Sequence, residues 1–179
     1  MVDVGWSGTT QEAFELAVRP LMDIQVFGYY FCLADTPERF RREKTQCMAA
    51  MVNSDVASAA TVARIYENRV AVELFFSAPH HSVIGLRLGQ NGVEPVLDAG
   101  RGNANDLPAI AKEVAQGIEA FAEHYGALHK RLGLQSSPVQ TASPLIEYVT
   151  EEPERIRQLL AQVKSFDAWG SSRNPGVGS

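Results

Sequence analysis

Eight apolar residues recur at three- and four-residue steps late in the chain: Leu107, Ile110, Val114, Ile118, Phe121, Tyr125, Leu128 and Leu132. That spacing lines them up along one side of an α-helix, and it predicts a single helix of ~26 residues, about 39 Å long. Gly133 supplies a stop, because only glycine enters the left-handed cap conformation freely. Covering such a stripe is worth roughly 1.5–3 kcal/mol per large side chain before entropy is counted. Any fold of this chain has to provide that cover.

The rest of the pattern is mixed. "TTQEAFELAVRPL" opens with Thr9 and Glu12 at capping-box spacing, with Phe14, Leu16, Ala17 and Val18 on its apolar side and Pro20 at its end. "DIQVFGYYFCLAD" is rich in β-branched and aromatic residues and predicts a strand near Ile24 to Leu33, apolar on both faces and so central. "DTPERFRREKTQCMAAMVNS" offers Thr36 as an N-cap and Pro37 at the first helical position, with Phe40, Cys47, Met48 and Met51 on one stripe.

"ATVARIY" and "RVAVELFF" alternate around Glu67-Asn68 and predict a hairpin. "HSVIGLRLG" and "VEPVLD" flank Gln90-Asn91-Gly92, a stronger hairpin signal. Pro95 lacks a donor and belongs on an edge strand. "QSSPVQTASP" reads as a loop and "TEEPERIRQLLAQVKSF" as a last helix capped by Thr150. The fold class expected is therefore α+β, one domain over 1–169. It has a mainly antiparallel β-meander with helices on one face, and a tail over 170–179 with no packing residues. Polar residues such as Glu73 and Arg87 would face water or a partner.

Composition narrows the function. With 45% hydrophobic and 21% charged residues the 179-residue chain is ordinary globular material. Its net charge of −5 opposes phosphate, and the one basic cluster, Arg39, Arg41, Arg42 and Lys44, has Glu38 and Glu43 inside it. Nucleic acid is not an expected partner. No apolar stretch approaches the ~18 residues that cross a bilayer, and the start carries no leader pattern. Two cysteines without C-x-x-C, Cys32 and Cys47, suit a cytoplasmic protein with reduced thiols and no structural zinc.

Few side chains offer chemistry. His80 and His81 in "SAPHHSVIG" would diverge in an extended segment, and no carboxylate or cysteine nearby completes a metal site. A catalytic role for one of them, or the rim of a turn, remains open. His124 and His129 sit five residues apart on the long helix, roughly 140° out of phase, and do not chelate together. Cys32, in an apolar strand, would have its pKa raised and be inert.

"LDAGRGNAND" joins a strand to a helix; Gly100, Arg101, Gly102 and Asn103 are a candidate anion site at the helix start. The G-x-G-x-x-G pattern breaks at Asn105, and simple turn chemistry explains the glycines equally. Trp6 and Trp169, outside the predicted elements, are either interface anchors or closures of the core. Strand parity would send Phe75 or Phe76 out of the core.

Two readings follow. One is a non-catalytic protein-binding module of adaptor, immunity, chaperone or assembly-subunit type. It would bind another protein or copies of itself through the sheet face, Trp6, Phe75, Phe76 and Trp169, with no cofactor and no metal. The other is a small enzyme or an anion- or small-ligand-binding protein, with a pocket near His80, His81, Asp98 and Arg101. No residue motif ties the chain to a family.

Overall fold

A computed structural model of the protein describes residues 1–81, 83–97, 107–151, 154, 155 and 158. The described elements, in order, are β1 (Val2–Asp3), α1 (Thr9–Val18), β2 (Phe27–Cys32), α2 (Pro37–Arg42), β3 (Cys47–Val52), α3 (Ala59–Glu67), α4 (Arg69–Phe75), β4 (Val83–Gly89), β5 (Gly92–Leu97), α5 (Leu107–Leu132) and α6 (Pro138–Glu151). They fall into two compact units. The first is Met1–Val72 with Gln135–Glu152, and the second is Glu73–Leu134 with Pro153–Ser179.

The first unit is built on a parallel sheet of order β1-β2-β3. Val2 pairs with Tyr29 and Asp3 with Tyr30 on one side of β2; on the other, pairing runs from Phe27 opposite Cys47 to Cys32 opposite Val52. Helices α1 and α2 are the crossovers that parallel neighbours require. The central strand buries Tyr30 and Cys32 on one side and Phe31 on the other, followed by buried Leu33 and Ala34. Helix α3 packs on β2 and α6 on β3.

The second unit contributes the antiparallel hairpin β4-β5 and the long helix α5, which occupies the span its apolar stripe marks. The hairpin turns through Gln90 and Asn91, with Gly89 opposite Gly92 and Gly92 at φ +119°. That conformation is one that side chains rarely adopt, and glycine adopts it freely.

The mainly antiparallel meander is therefore wrong. Its parallel three-stranded sheet and separate two-stranded hairpin make the chain α+β of another kind. Residues 59–75 form two helices, not a hairpin. The Ser58 hydroxyl accepts from the Thr61 backbone N–H at 3.1 Å, which starts α3. Asn68, expected in a tight turn, is the joint between helices. Its side chain donates to Arg64 O at 2.8 Å, and its own carbonyl accepts from Ala71 and Val72. Short β-branched runs fit either period, and the caps decided.

Cys47–Val52 is a strand and not the end of a helix. The Arg42 carbonyl takes the N–H groups of Thr45 and Gln46, both at 2.9 Å, and closes α2 there. The Thr36 cap and Pro37 start stand as expected. "QSSPVQTASP" is helical from Pro138 on because Ser137 and Gln140 cap each other: Ser137 N–H donates to Gln140 Oε1 at 2.8 Å and Gln140 N–H to Ser137 Oγ at 3.3 Å. Ala142, Ile146 and Val149 form its buried stripe, and Pro144 lies on the exposed side. Most of the helix expected at the C-terminus, and the tail, lie outside the described residues.

The capping box at Thr9 is absent. Gly8, at φ +75°, precedes α1 with no side-chain cap. Glu12 is engaged by α2 instead: Arg42 Nε donates to it at 2.6 Å, and Arg41 lies 3.4 Å away. The hydrogen bond from Arg42 holds the Glu12 carboxyl below its usual pKa, against the smaller opposing effect of burial. The one fully buried side chain of α1 is Gln11, while Phe14 and Leu16 are exposed.

Candidate interaction surfaces

The sequence-derived site residues disperse. His80 is exposed just past α4, and its Nδ1 lies 2.8 Å from the His81 carbonyl. A carbonyl only accepts, so this nitrogen carries the proton. Asp98, Gly100, Arg101, Gly102, Asn103 and Trp169 lie outside the described residues, as does any pocket that needs them. Among the described residues no group of three His, Cys, Asp or Glu side chains could hold a metal ion. His124 Nδ1 is turned back to Ala120 O at 2.8 Å, and His129 packs on the Tyr125 ring.

Trp6 is half-buried and meets Tyr66 of α3 edge-on, with ring centroids 5.9 Å apart. Phe75 ends α4 and Phe76 follows it, so strand parity does not govern them; Phe76 is exposed and Phe75 half-buried.

Cys32 is fully buried, and burial pushes its thiol up to about 12. Cys47 is half-buried at the start of β3, with Gln25 Nε2 3.3 Å from its sulfur. In native protein a thiol reagent will modify Cys47 at least ~100-fold faster than Cys32, and denaturant will equalise the two. Peptide mapping after timed labelling checks this; equal native rates would mean that β2 opens readily.

A shallow groove of about 360 Å³ lies along the open ends of β2 and β3, lined by Phe27, Gly28, Tyr29, Gln46, Cys47, Met48 and Ala49. It carries no ionisable pair able to do acid–base work.

Among the described residues, the second unit carries open apolar surfaces on its hairpin and its long helix. Cross-strand partners share a face, and Leu88 stands opposite Val93 and Leu86 opposite Pro95. Leu88 is 87% exposed, Leu86 72% and Val93 64%; past the register shift between Val83 and Gly85, Val83 stands opposite Leu97, and both are exposed too. The other face carries Arg87 and Glu94, paired at 3.2 Å. The ribbon thus has one ionic and one bare hydrocarbon face. Hydrogen-bonded pairs alternate from the closing pair Gly89/Gly92, which puts the Pro95 nitrogen on the outer edge of β5, where no donor is missed.

Along α5, Ile118, Phe121, Leu128 and Leu132 are exposed, and Phe121 stacks on Tyr125 at 5.5 Å. No helix among the described residues is long and apolar enough to cross a membrane. No family model, no curated protein and no solved structure matches the chain.

The sequence marks β4-β5 as a hairpin but not its one-sided exposure. Alternation alone cannot say whether an apolar face meets a core or stands open. The 3–4 spacing of α5 likewise names the stripe and not what covers it.

Proposed function

We propose that this chain is a non-catalytic protein-binding module of the assembly-subunit type, docking through the apolar face of the β4-β5 ribbon. The supporting observation is the exposure of Leu86, Leu88 and Val93 on one face of a two-stranded element. An isolated hairpin is marginal in water and gains stability when a further strand or helix covers it. Apolar patches of this kind mark contact surfaces. The exposed Phe76 ring adds an aromatic contact. The net charge of −5 favours a protein over a nucleic acid as partner. Both cysteines stand free, in keeping with a reducing cytoplasm.

The double substitution Leu86→Lys and Leu88→Lys tests this. Both side chains are already exposed, so the melting temperature will stay within a few degrees of the parent. Binding to whatever crosslinks to the parent ribbon in native cells will fall at least ~30-fold, the scale of a hot-spot loss. Unchanged crosslinking, or a collapse of the melting temperature, would show that the ribbon face is not a docking surface.

A further inference from the structure

We infer that α5 pairs with α5 of a second copy of this chain, antiparallel, with Phe121 of one copy against Tyr125 of the other. This rests on the protein-binding reading above and names one of its partners. From Ala111 the apolar residues of α5 step three and four without a break: Ala111, Val114, Ile118, Phe121, Tyr125, Leu128, Leu132. A strict repeat of that kind is the narrow seam of a coiled coil, whereas a helix lying on a globular core has a wider apolar face. Only the first turns are covered, with Ala111 1% exposed. From Gln116 to Leu132 every residue is exposed except the half-buried Tyr125 and His129, whose rings meet at a tilt of 47°. About 24 Å of helix therefore carries an open seam.

The residues beside the seam choose the occupant and its direction. One flank is Ala115, Ala122 and His129; the other is Gly117, His124 and Arg131. Parallel self-pairing sets one flank against the other and brings His124 to His129 and cations together at one end. Antiparallel pairing sets each flank against itself, running backwards. Arg131 then faces Gly117 of the other copy, His124 faces His124, His129 faces Ala115, and Ala122 faces Ala122. The positive ends are separated, and the small residues let the backbones approach.

The core is self-complementary in the same register. Phe121 meets Tyr125 and Ile118 meets Leu128, each repeated by the two-fold axis. Phe121 is 64% exposed in the single chain, so pairing covers one open ring from each copy at the centre. The aliphatic pairs extend that cover.

Sedimentation equilibrium of the full chain will show a monomer–dimer equilibrium. Phe121→Glu with Leu128→Glu will raise its dissociation constant at least ~100-fold and leave the far-ultraviolet circular dichroism unchanged. Direction is read in a Cys47→Ser background by mixing Phe121→Cys protein with Tyr125→Cys protein. A mixed disulfide is expected; a Tyr125→Cys self-crosslink would show parallel pairing and overturn the assignment. A parent chain that stays monomeric at about 100 μM, far above the dissociation constants of specific interfaces, also overturns it. So does a dimer untouched by the double glutamate variant, or a monomer that binds an acid-flanked helical peptide instead. The ribbon substitutions at Leu86 and Leu88 probe a different surface. A monomeric chain would therefore refute helix pairing alone, and unchanged ribbon crosslinking would refute ribbon docking alone.

Discussion

Replacing Gln11 by leucine will destabilise the protein by about 3 kcal/mol or more, although leucine is close in volume and a better match for a buried site. The Gln11 side chain is fully buried and acts as a hydrogen-bond hub. Its Nε2 donates to Val26 O at 3.0 Å, Glu15 Oε1 at 2.9 Å and Cys47 O at 3.3 Å, and its Oε1 accepts from the Tyr30 hydroxyl at 2.8 Å. An amide nitrogen has two protons, so one is shared among these acceptors. The hub ties α1 to the chain entering β2 and to the first residue of β3. Leucine would strand the Tyr30 hydroxyl, in a side chain only 3% exposed, and take a side-chain donor away from two backbone carbonyls. Each stranded group costs about 1–3 kcal/mol.

Room for the hub comes from Gly28: a Cβ there would collide with Gln11 Oε1 and lie 2.6 Å from the Tyr30 ring. Urea unfolding measures the loss as a lower midpoint at unchanged slope. Adding Tyr30→Phe to Gln11→Leu removes the stranded hydroxyl and will recover about 1–2 kcal/mol. A Gln11→Leu variant as stable as the parent would show that the hub contributes nothing.

Ile65→Ala will cost about 2–5 kcal/mol. Ile65 is fully buried on α3, and Val62 beside it, Val52 at the end of β3 and Val149 of α6 are almost as completely enclosed. Helix α3 packs against both β2 and α6, so the buried site on it is held between elements and cannot close freely over the missing carbons. A site that cannot collapse keeps its cavity, which puts the loss in the upper part of the range. Ile65→Val removes one methylene and will cost only about 0.5–1.5 kcal/mol. The ratio of the two losses, from the same urea titrations, separates a true cavity from a general loosening of α3. Comparable losses for both variants would contradict a rigid site.

Much of the architecture was open to reading where a local signal had no competitor. The Thr36-Pro37 start, the Asn91-Gly92 turn and the 26-residue stripe of α5 each specify their element by short-range chemistry alone. The parallel sheet was not legible in this way. Its strands meet only through crossovers, and a six-residue apolar run such as Cys47–Val52 satisfies helical and extended spacing alike. Residues 59–75 failed for the mirror reason, since alternating Val70, Val72 and Leu74 also fit a helix once Ser58 and Asn68 fix its ends.

Ser137-Pro138-Val139-Gln140 carried a readable capping box that the neighbouring Ser and Pro residues disguised as a loop. The interaction surfaces were legible only as composition. That Leu86 and Phe121 are apolar is plain from the chain, but their exposure is settled by which other elements happen to reach them.

The first unit is interrupted in sequence: α6 returns to β3 and α3 only after the whole of β4, β5 and α5 has intervened. On a ribosome adding roughly 5–20 residues per second, the roughly 80 residues between Val72 and Glu152 take on the order of 4–16 seconds to emerge. Throughout that interval Val52, Val62 and Ile65 wait without the helix that shields them. The nascent chain must therefore pass through a stage in which its earliest-made half is sticky and incomplete. Its yield in a cell will depend on how well that half is sheltered until the C-terminal segment arrives.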